Sequence, residues 1–320
     1  MKIDVVWSEP QYLSHMESIF EALPDRLRGS ILPRCQPGEA VRPPMGHIAM
    51  VAGWQDVAPL RGLCPMIFVE HGAGQTYEAG EAHNPSYSGS GGFRHKGVIA
   101  FIAPSDTVAA RWTTAPAVAV GSPKMDRWIG CPSPKEATIC FAWHWPAVGT
   151  APEARSAFDH YRARLPEIVD LYTQMGFRVV GHEHPKWRGK MAEFWSKELN
   201  VPVLASDVDV FEQASILMVD NSSLAYEVAM LGRPVVSLNA PWYRRDVDHG
   251  LRFWSHVPGI MVDGPDDLLG LNPWDLLNDT EIAHMSATLA ANAVEHAYKF
   301  RDGSSSARAA AFITGIVDAV

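Results

Sequence analysis

Residues 216–238 read Ile-Leu-Met-Val-Asp-Asn-Ser-Ser-Leu-Ala-Tyr-Glu-Val-Ala-Met-Leu-Gly-Arg-Pro-Val-Val-Ser-Leu, an order of residue types suited to holding a phosphate. Asp220, Asn221, Ser222 and Ser223 fall where an apolar run stops. Leu224, Val228 and Leu231 then recur at helical spacing until Gly232 and Pro234 end the pattern. A helix that opens at a strand's carboxyl end turns unpaired N–H groups and the positive end of its dipole toward an anion, and the two serine hydroxyls add donors. Glu227 lies four residues after Ser223, on the same helical face, where it could accept hydrogen bonds from the ribose of a nucleotide. Capping alone accounts for one serine. A capping box places its acid three residues after the cap, which neither Ser222 nor Ser223 satisfies with Glu227.

Three further groups carry chemistry. His71 follows the apolar run Met66–Val69 and precedes Gly72 and Gly74, so its ring is expected at a strand's carboxyl end, beside backbone that a ligand can approach closely. An imidazole with an ordinary pKa near 6.5 can take a hydroxyl proton at neutral pH; the alternative is a histidine satisfied within a glycine turn. His182, Glu183 and His184 follow another apolar run, and strand alternation sends both histidines to one side. No third ligand stands at a diagnostic spacing, so a metal centre is not expected there. Arg244 and Arg245 follow the run ending at Leu238 and could meet a donor phosphate or an anionic acceptor, or form a solvated turn. Trp143, Trp145 and Trp187 could stack on a base or sugar, although aromatic residues in such proteins mostly fill the core.

The elements that must position these residues are legible as short apolar runs. In the first 130 residues they are Ile3–Trp7, Ile48–Val51, Met66–Val69, 98–102 and 117–120, each of strand length and apolar throughout, as in a parallel sheet covered by helices on both faces. Gly130-Cys131-Pro132-Ser133-Pro134-Lys135 reads as a linker. The alternation restarts with strands at 137–143, 177–181, 202–205, Ile216–Val219, 234–238 and Ile260–Val262, a helix over 152–175, and closing helices over 280–300 and 306–319. Two such series predict two doubly wound α/β domains facing one another, with the ligand expected in an interdomain cleft at the carboxyl ends of the strands. The expected boundaries are 1–130 for an acceptor domain, 131–300 for a nucleotide-donor domain and 301–320 for a terminal helix packing back on the first. The stretch 75–96, rich in Gly and Ser, is expected to be a loop covering the acceptor side, with Arg94, His95 and Lys96 available to anions.

Composition bounds the class. The 320 residues are 47% hydrophobic and 20% charged, with a formal net charge of −9, which describes a soluble globular protein and argues against a broad nucleic-acid surface. Cys35, Cys64, Cys131 and Cys140 lack the close spacing of a zinc knuckle and are expected as free thiols. No apolar run reaches the roughly 18 residues of a membrane span, and no export signal is visible, so a cytoplasmic location is expected.

The segment 207–238 resembles the CDP-glycerol glycerophosphotransferases of teichoic-acid synthesis and, more loosely, GT-B glycosyltransferases and UDP-N-acetylglucosamine 2-epimerases. Val69-Glu70-His71-Gly72 is similar to that family's His-Gly turn, Gly121-Ser122-Pro123-Lys124-Met125-Asp126 to its Gly-x-Pro-x-x-Asp segment and His184-Pro185 to its His-Pro step, in the same order. The resemblance implies a GT-B-like fold of two Rossmann-like domains. It also implies a transferase moving a sugar or polyol-phosphate group from a nucleotide-diphosphate donor to an acceptor hydroxyl, without an obligatory cofactor. His71 would be the general base, His184 a donor-phosphate contact, and Ser222 and Ser223 the phosphate grip. The family's His-Gly-Thr-Pro is here His71-Gly72-Ala73-Gly74, and its Asp-Tyr-Ser-Ser is Asp220-Asn221-Ser222-Ser223, departures that favour a glycosyl donor over CDP-glycerol. The alternatives are a CDP-glycerol-type glycerophosphotransferase, a nucleotide-sugar 2-epimerase, or a nucleotide-sugar binding module without turnover.

Overall fold

The computed structural model describes residues 1–33, 47–73, 96–110, 112–146, 152–187, 189–245 and 254–319. They form two compact units, one from Met1–Ile129 together with Ala297–Val320, the other from Gly130–His296. Among the described residues, no helix is long and apolar enough to cross a membrane.

The first unit runs β1 (Ile3–Trp7), α1 (Pro10–Ala22), β2 (Arg28–Pro33), β3 (Ile48–Val51), α2 (Trp54–Leu60), β4 (Met66–Val69), β5 (Val98–Ala103), α3 (Asp106–Ala109) and β6 (Ala117–Ala119). All pairings are parallel, in the order β2-β1-β3-β4-β5-β6. β3 and β4 are buried at every position, as their unbroken apolar sequences require. β2 escapes sequence reading because it is an edge strand, half solvated and interrupted by Gly29, Ser30 and Pro33. α1 starts with Pro10 at its first turn and buries Tyr12, His15, Met16 and Ile19. The apolar members of that face pack in one cluster with Ala309, Ala310, Ile313 and Val317, which lie on the closing helix of the chain, Ser305–Asp318.

The second unit runs β7 (Thr138–Trp143), α4 (Phe158–Tyr161), α5 (Leu165–Gln174), β8 (Arg178–Glu183), β9 (Val203–Leu204), α6 (Asp207–Gln213), β10 (Ile216–Val219), α7 (Leu224–Met230), β11 (Val235–Leu238), β12 (Ile260–Val262), α8 (Pro265–Gly270), α9 (Trp274–Leu277) and α10 (Glu281–Ala297). Its sheet is also parallel throughout, ordered β12-β11-β10-β7-β8-β9. The first strand, β7, therefore sits in the middle, and the chain winds outward from it in both directions. The carboxyl ends of β7 and β10 flank the point where the winding reverses, the place at which open α/β sheets open a ligand crevice. Gly181 on β8 lets the buried Trp195 indole lie against the strand, since a Cβ there would come within 2.6 Å of the ring.

The single helix expected over 152–175 is instead a short helical turn at Pro152–Ala154, α4, and then α5. Pro166 explains the final restart: it has no N–H to continue a ladder and is accommodated in the first turn of α5. β8 also runs on to Glu183, because β7 keeps pairing with it as far as Trp143 and Glu183.

Candidate functional site

In the second unit, the turn from Asp220 to Ser223 leaves β10 and opens α7. Asp220 is fully buried and faces inward. Its Oδ1 accepts the main-chain N–H of His144 at 2.8 Å, and its Oδ2 accepts the Ser156 hydroxyl and the Ala157 N–H, both at 2.8 Å. Burial pushes its carboxyl up to about 6, outweighing those donors, which favour the charged form. Asn221 is buried as well, and its Nδ2 donates to the carbonyl of Glu153 at 2.8 Å. Both side chains build the turn. Ser222 and Ser223 remain half-buried and reachable, with the Ser222 hydroxyl accepting the Leu224 N–H at 3.2 Å. Glu227, on the first turn of α7, is fully buried.

Glu153, wholly buried, links this turn to Arg244. Its carboxylate accepts the main-chain N–H of Arg244 at 3.0 Å and Nη2 at 2.9 Å, and it also takes Nε. The guanidinium holds the Glu153 carboxyl below its ordinary value despite the opposing effect of burial. Arg244 thus braces the segment that carries Asn221's acceptor, while Arg245 is paired on the surface with Asp263. Neither guanidinium stands uncommitted before the Ser222–Ser223 turn. Sequence reading missed Glu153, Ser156 and His144; only His144 left a signal, since it follows a buried strand at its carboxyl end.

His184 follows β8 directly. Its Nδ1 accepts the N–H of Lys186 at 3.1 Å, which places the proton of the neutral ring on Nε2. The ring meets that of His144 edge to face, with centroids 4.8 Å apart. Beside them, the Lys186 ammonium lies 5.1 Å from the centre of the Trp145 ring. His182 belongs to the interior, with Nδ1 against the Leu204 carbonyl and Nε2 against Asp207, both at 3.2 Å. Trp143 is core, whereas Trp145 and Trp187 are half-buried.

In the first unit, His71 follows β4, half-buried, with Gly72 adopting φ +82°, a conformation that favours glycine. Its Nδ1–H donates to the Ala52 carbonyl at 2.8 Å, since a carbonyl can only accept, and this leaves the lone pair of the neutral ring on Nε2. Tyr12 packs edge-on at 4.9 Å and His15 at 6.3 Å between ring centroids. Gly74 and residues 75–95 of the expected loop, including Arg94 and His95, lie outside the described residues, and Lys96 is exposed. Among the described residues, no group of three or more His, Cys, Asp and Glu side chains is placed to hold a metal ion.

Comparison with known proteins gives the fold a context. The solved S. aureus MnaA, in a co-structure with UDP, superposes with a TM-score of 0.61 at 13% identity over 100% of this chain and 97% of that one. The wall teichoic acid polymerase TagF soaked with CDPG gives a TM-score of 0.60 at 14% identity over 99% of this chain and 89% of that one. A UDP-N-acetylglucosamine 2-epimerase described as such from Listeria monocytogenes gives 0.59 at 12% identity over 100% and 97%. These likenesses show the fold, two parallel six-stranded α/β units of the GT-B type. No curated protein matches the chain by sequence. The model of the CDP-glycerol:poly(glycerophosphate) glycerophosphotransferase family matches residues 174–315, the stretch that contains His184, the Ser222–Ser223 turn and Glu227, and it is to this family of nucleotide-donor transferases that the chain is similar there.

Proposed function

We propose that this chain transfers a group from a nucleotide-diphosphate donor to an acceptor hydroxyl, with a polyol phosphate from a cytidine donor as the leading case, because the match to the glycerophosphotransferase family over residues 174–315 outweighs the motif departures that favour a glycosyl donor. The observation that carries the reading is the Ser222–Ser223 turn at the winding reversal of the second sheet, rigidly braced from below by Asp220 and Asn221 and lying within the family-matched stretch. Ser222 and Ser223 supply hydroxyl and amide donors to the diphosphate, and His184 offers Nε2–H to a phosphate oxygen. Asp220, Asn221 and the Glu153–Arg244 pair are positioning groups. Glu227 serves a ribose only where its cover is displaced, since it is fully buried.

His71 is the base. Its Nε2 takes the acceptor's hydroxyl proton, the acceptor oxygen forms its new bond to the β-phosphorus of the donor, and the bond from that phosphorus to the bridging oxygen breaks. The leaving nucleoside monophosphate keeps the electron pair. In the glycosyl variant the bond forms at carbon and a nucleoside diphosphate leaves.

The test is incubation of the purified chain with CDP-glycerol, and separately with UDP-activated sugars, while CMP, UDP and epimerised sugar are quantified. Acceptor-dependent CMP release supports the leading case, and UDP release the glycosyl variant. Epimerisation, or binding without turnover, would replace the transferase with the corresponding alternative.

A further inference from the structure

We infer that Tyr12 and Gln55 are positioning residues for His71: a hydrogen-bonded chain running from Glu9 through Gln55 to the Tyr12 hydroxyl fixes the plane of the imidazole. The inference rests on the reading of His71 as the acceptor's base and extends it to residues that sequence reading did not single out.

β3 and β4 bring the parts together. They pair through Val51 and Phe68, so Ala52 leaves β3 beside the end of β4, where its carbonyl receives the Nδ1–H of His71 at 2.8 Å. One hydrogen bond sets the distance and direction of Nδ1 but lets the ring rock about the N–H···O line. A second contact has to set the plane. Tyr12 supplies it from α1, with ring centroids 4.9 Å apart and an interplanar angle of 70°.

Tyr12 is itself held at both ends. Its ring lies against the main chain at Gly53, where a Cβ would come within 2.6 Å of Cε2 and 2.9 Å of Cδ2. The φ of Gly53 is −102°, so this close approach, and not backbone freedom, calls for glycine there. At the other end the hydroxyl donates to Oε1 of Gln55 at 3.3 Å.

The direction of each bond in the chain follows from Glu9. Its carboxylate only accepts: Oε2 takes the Gln11 amide, and Oε1 takes Nε2 of Gln55 at 2.8 Å. With its N–H given to Glu9, Gln55 turns Oε1 to Tyr12, and the phenol must donate. Burial, aided by the Glu9 charge, raises the Tyr12 pKa, so the hydroxyl keeps the proton it donates. Glu9 is the N-cap residue of α1 and Gln55 lies on the first turn of α2. The chain therefore ties the starts of both helices to the ring that packs on His71. A displacement of about 1 Å at a reacting atom can cost about 10²-fold in rate, which is the scale of what such bracing protects.

Histidine ¹⁵N–¹H spectra of the full chain read the ring without any ligand, with the His71 signal identified by its loss in His71→Gln. The unsubstituted protein should show His71 protonated at Nδ1, with that proton slow to exchange. Tyr12→Phe and Gln55→Met each remove the Tyr12 hydroxyl bond, and each should speed the exchange by about 2- to 10-fold, with no further gain in the double variant. Gly53→Ala, which drives the Tyr12 ring from its seat, should speed it more. Release of CMP from CDP-glycerol and of UDP from UDP-activated sugars gives the second readout. Tyr12→Phe and Gln55→Met should lower kcat by about 2- to 10-fold, and Gly53→Ala and Tyr12→Leu by about 10²-fold, with donor KM unchanged. A group that only stabilised the unit would lower Tm and leave the kcat of the folded enzyme alone. Tyr12→Phe and Gln55→Met carry the test should Gly53→Ala fail to fold. An unchanged exchange rate, additive effects in the double variant, or altered exchange with kcat unmoved would overturn the inference and leave the base reading standing. Full activity in His71→Gln would overturn the base reading, and the catalytic part of the inference with it.

Discussion

The Asp220 carboxylate accepts the main-chain N–H of His144 at 2.8 Å, a bond that joins β10 to β7 where the winding of the second sheet reverses. The other carboxylate oxygen holds Ser156 and Ala157, so one side chain ties its own turn to two other segments. Asp220→Ala strands these donors, each at a cost of about 1–3 kcal/mol when buried, and a total loss of about 3–5 kcal/mol is expected from urea unfolding. Asp220→Asn keeps the shape and one accepting oxygen and should lose less.

The same residue gives stability a pH dependence of defined sign. Its native carboxyl titrates near 6, above the ordinary value near 3.9, so between these pH values the native state holds a proton that the unfolded chain has released. Its stabilising contribution is complete below about pH 4 and is lost as pH rises through 6, by about 3 kcal/mol at most. Unfolding free energies of the unsubstituted protein and Asp220→Asn, compared from pH 4 to 8, should show the variant gaining on the parent across that window. A constant difference would show that Asp220 does not titrate there.

Buried strands were the most legible part of the chain. Ile48–Val51, Met66–Val69 and Ile216–Val219 have the limits their apolar runs imply, because both faces of each strand are covered. The edge strand β2 left no such trace, and the helix expected over 152–175 was broken in ways its composition hides. Ser222, Ser223 and His184 could be named from their place after a strand. Their supports could not, since Glu153 meets Asn221 and Arg244 across 68 and 91 residues of sequence, and no local pattern records such a partnership.

The two adjacent arginines should behave differently despite their shared sequence context. The Glu153 carboxylate is wholly buried, so Arg244→Ala leaves a buried charge without its partner and is expected to cost about 3–5 kcal/mol. Arg245 and Asp263 are both largely exposed, and Arg245→Ala should cost between about 0 and 1 kcal/mol. Thermal unfolding of the two variants separates them. Because Glu153 also receives Asn221, Arg244→Ala should raise the donor KM even at temperatures where it stays folded.

His71 has its tautomer set by the fold. The Ala52 carbonyl holds Nδ1–H and the edge of Tyr12 fixes the ring plane, so Nε2 is the nitrogen able to receive a proton. If that nitrogen deprotonates the acceptor, His71→Ala should lower kcat by about 10²- to 10⁴-fold while leaving the donor's affinity unchanged, because the donor contacts proposed above are Ser222, Ser223 and His184. The acid limb of the kcat/KM profile, which reflects an imidazole that must be neutral to act, should disappear with the ring. His71→Gln is the sharper variant: it preserves a donor for the Ala52 carbonyl and removes only the basic nitrogen, so the ring's structural bond is retained. Full activity in that variant would assign His71 a structural place in its glycine turn and move the base to another group.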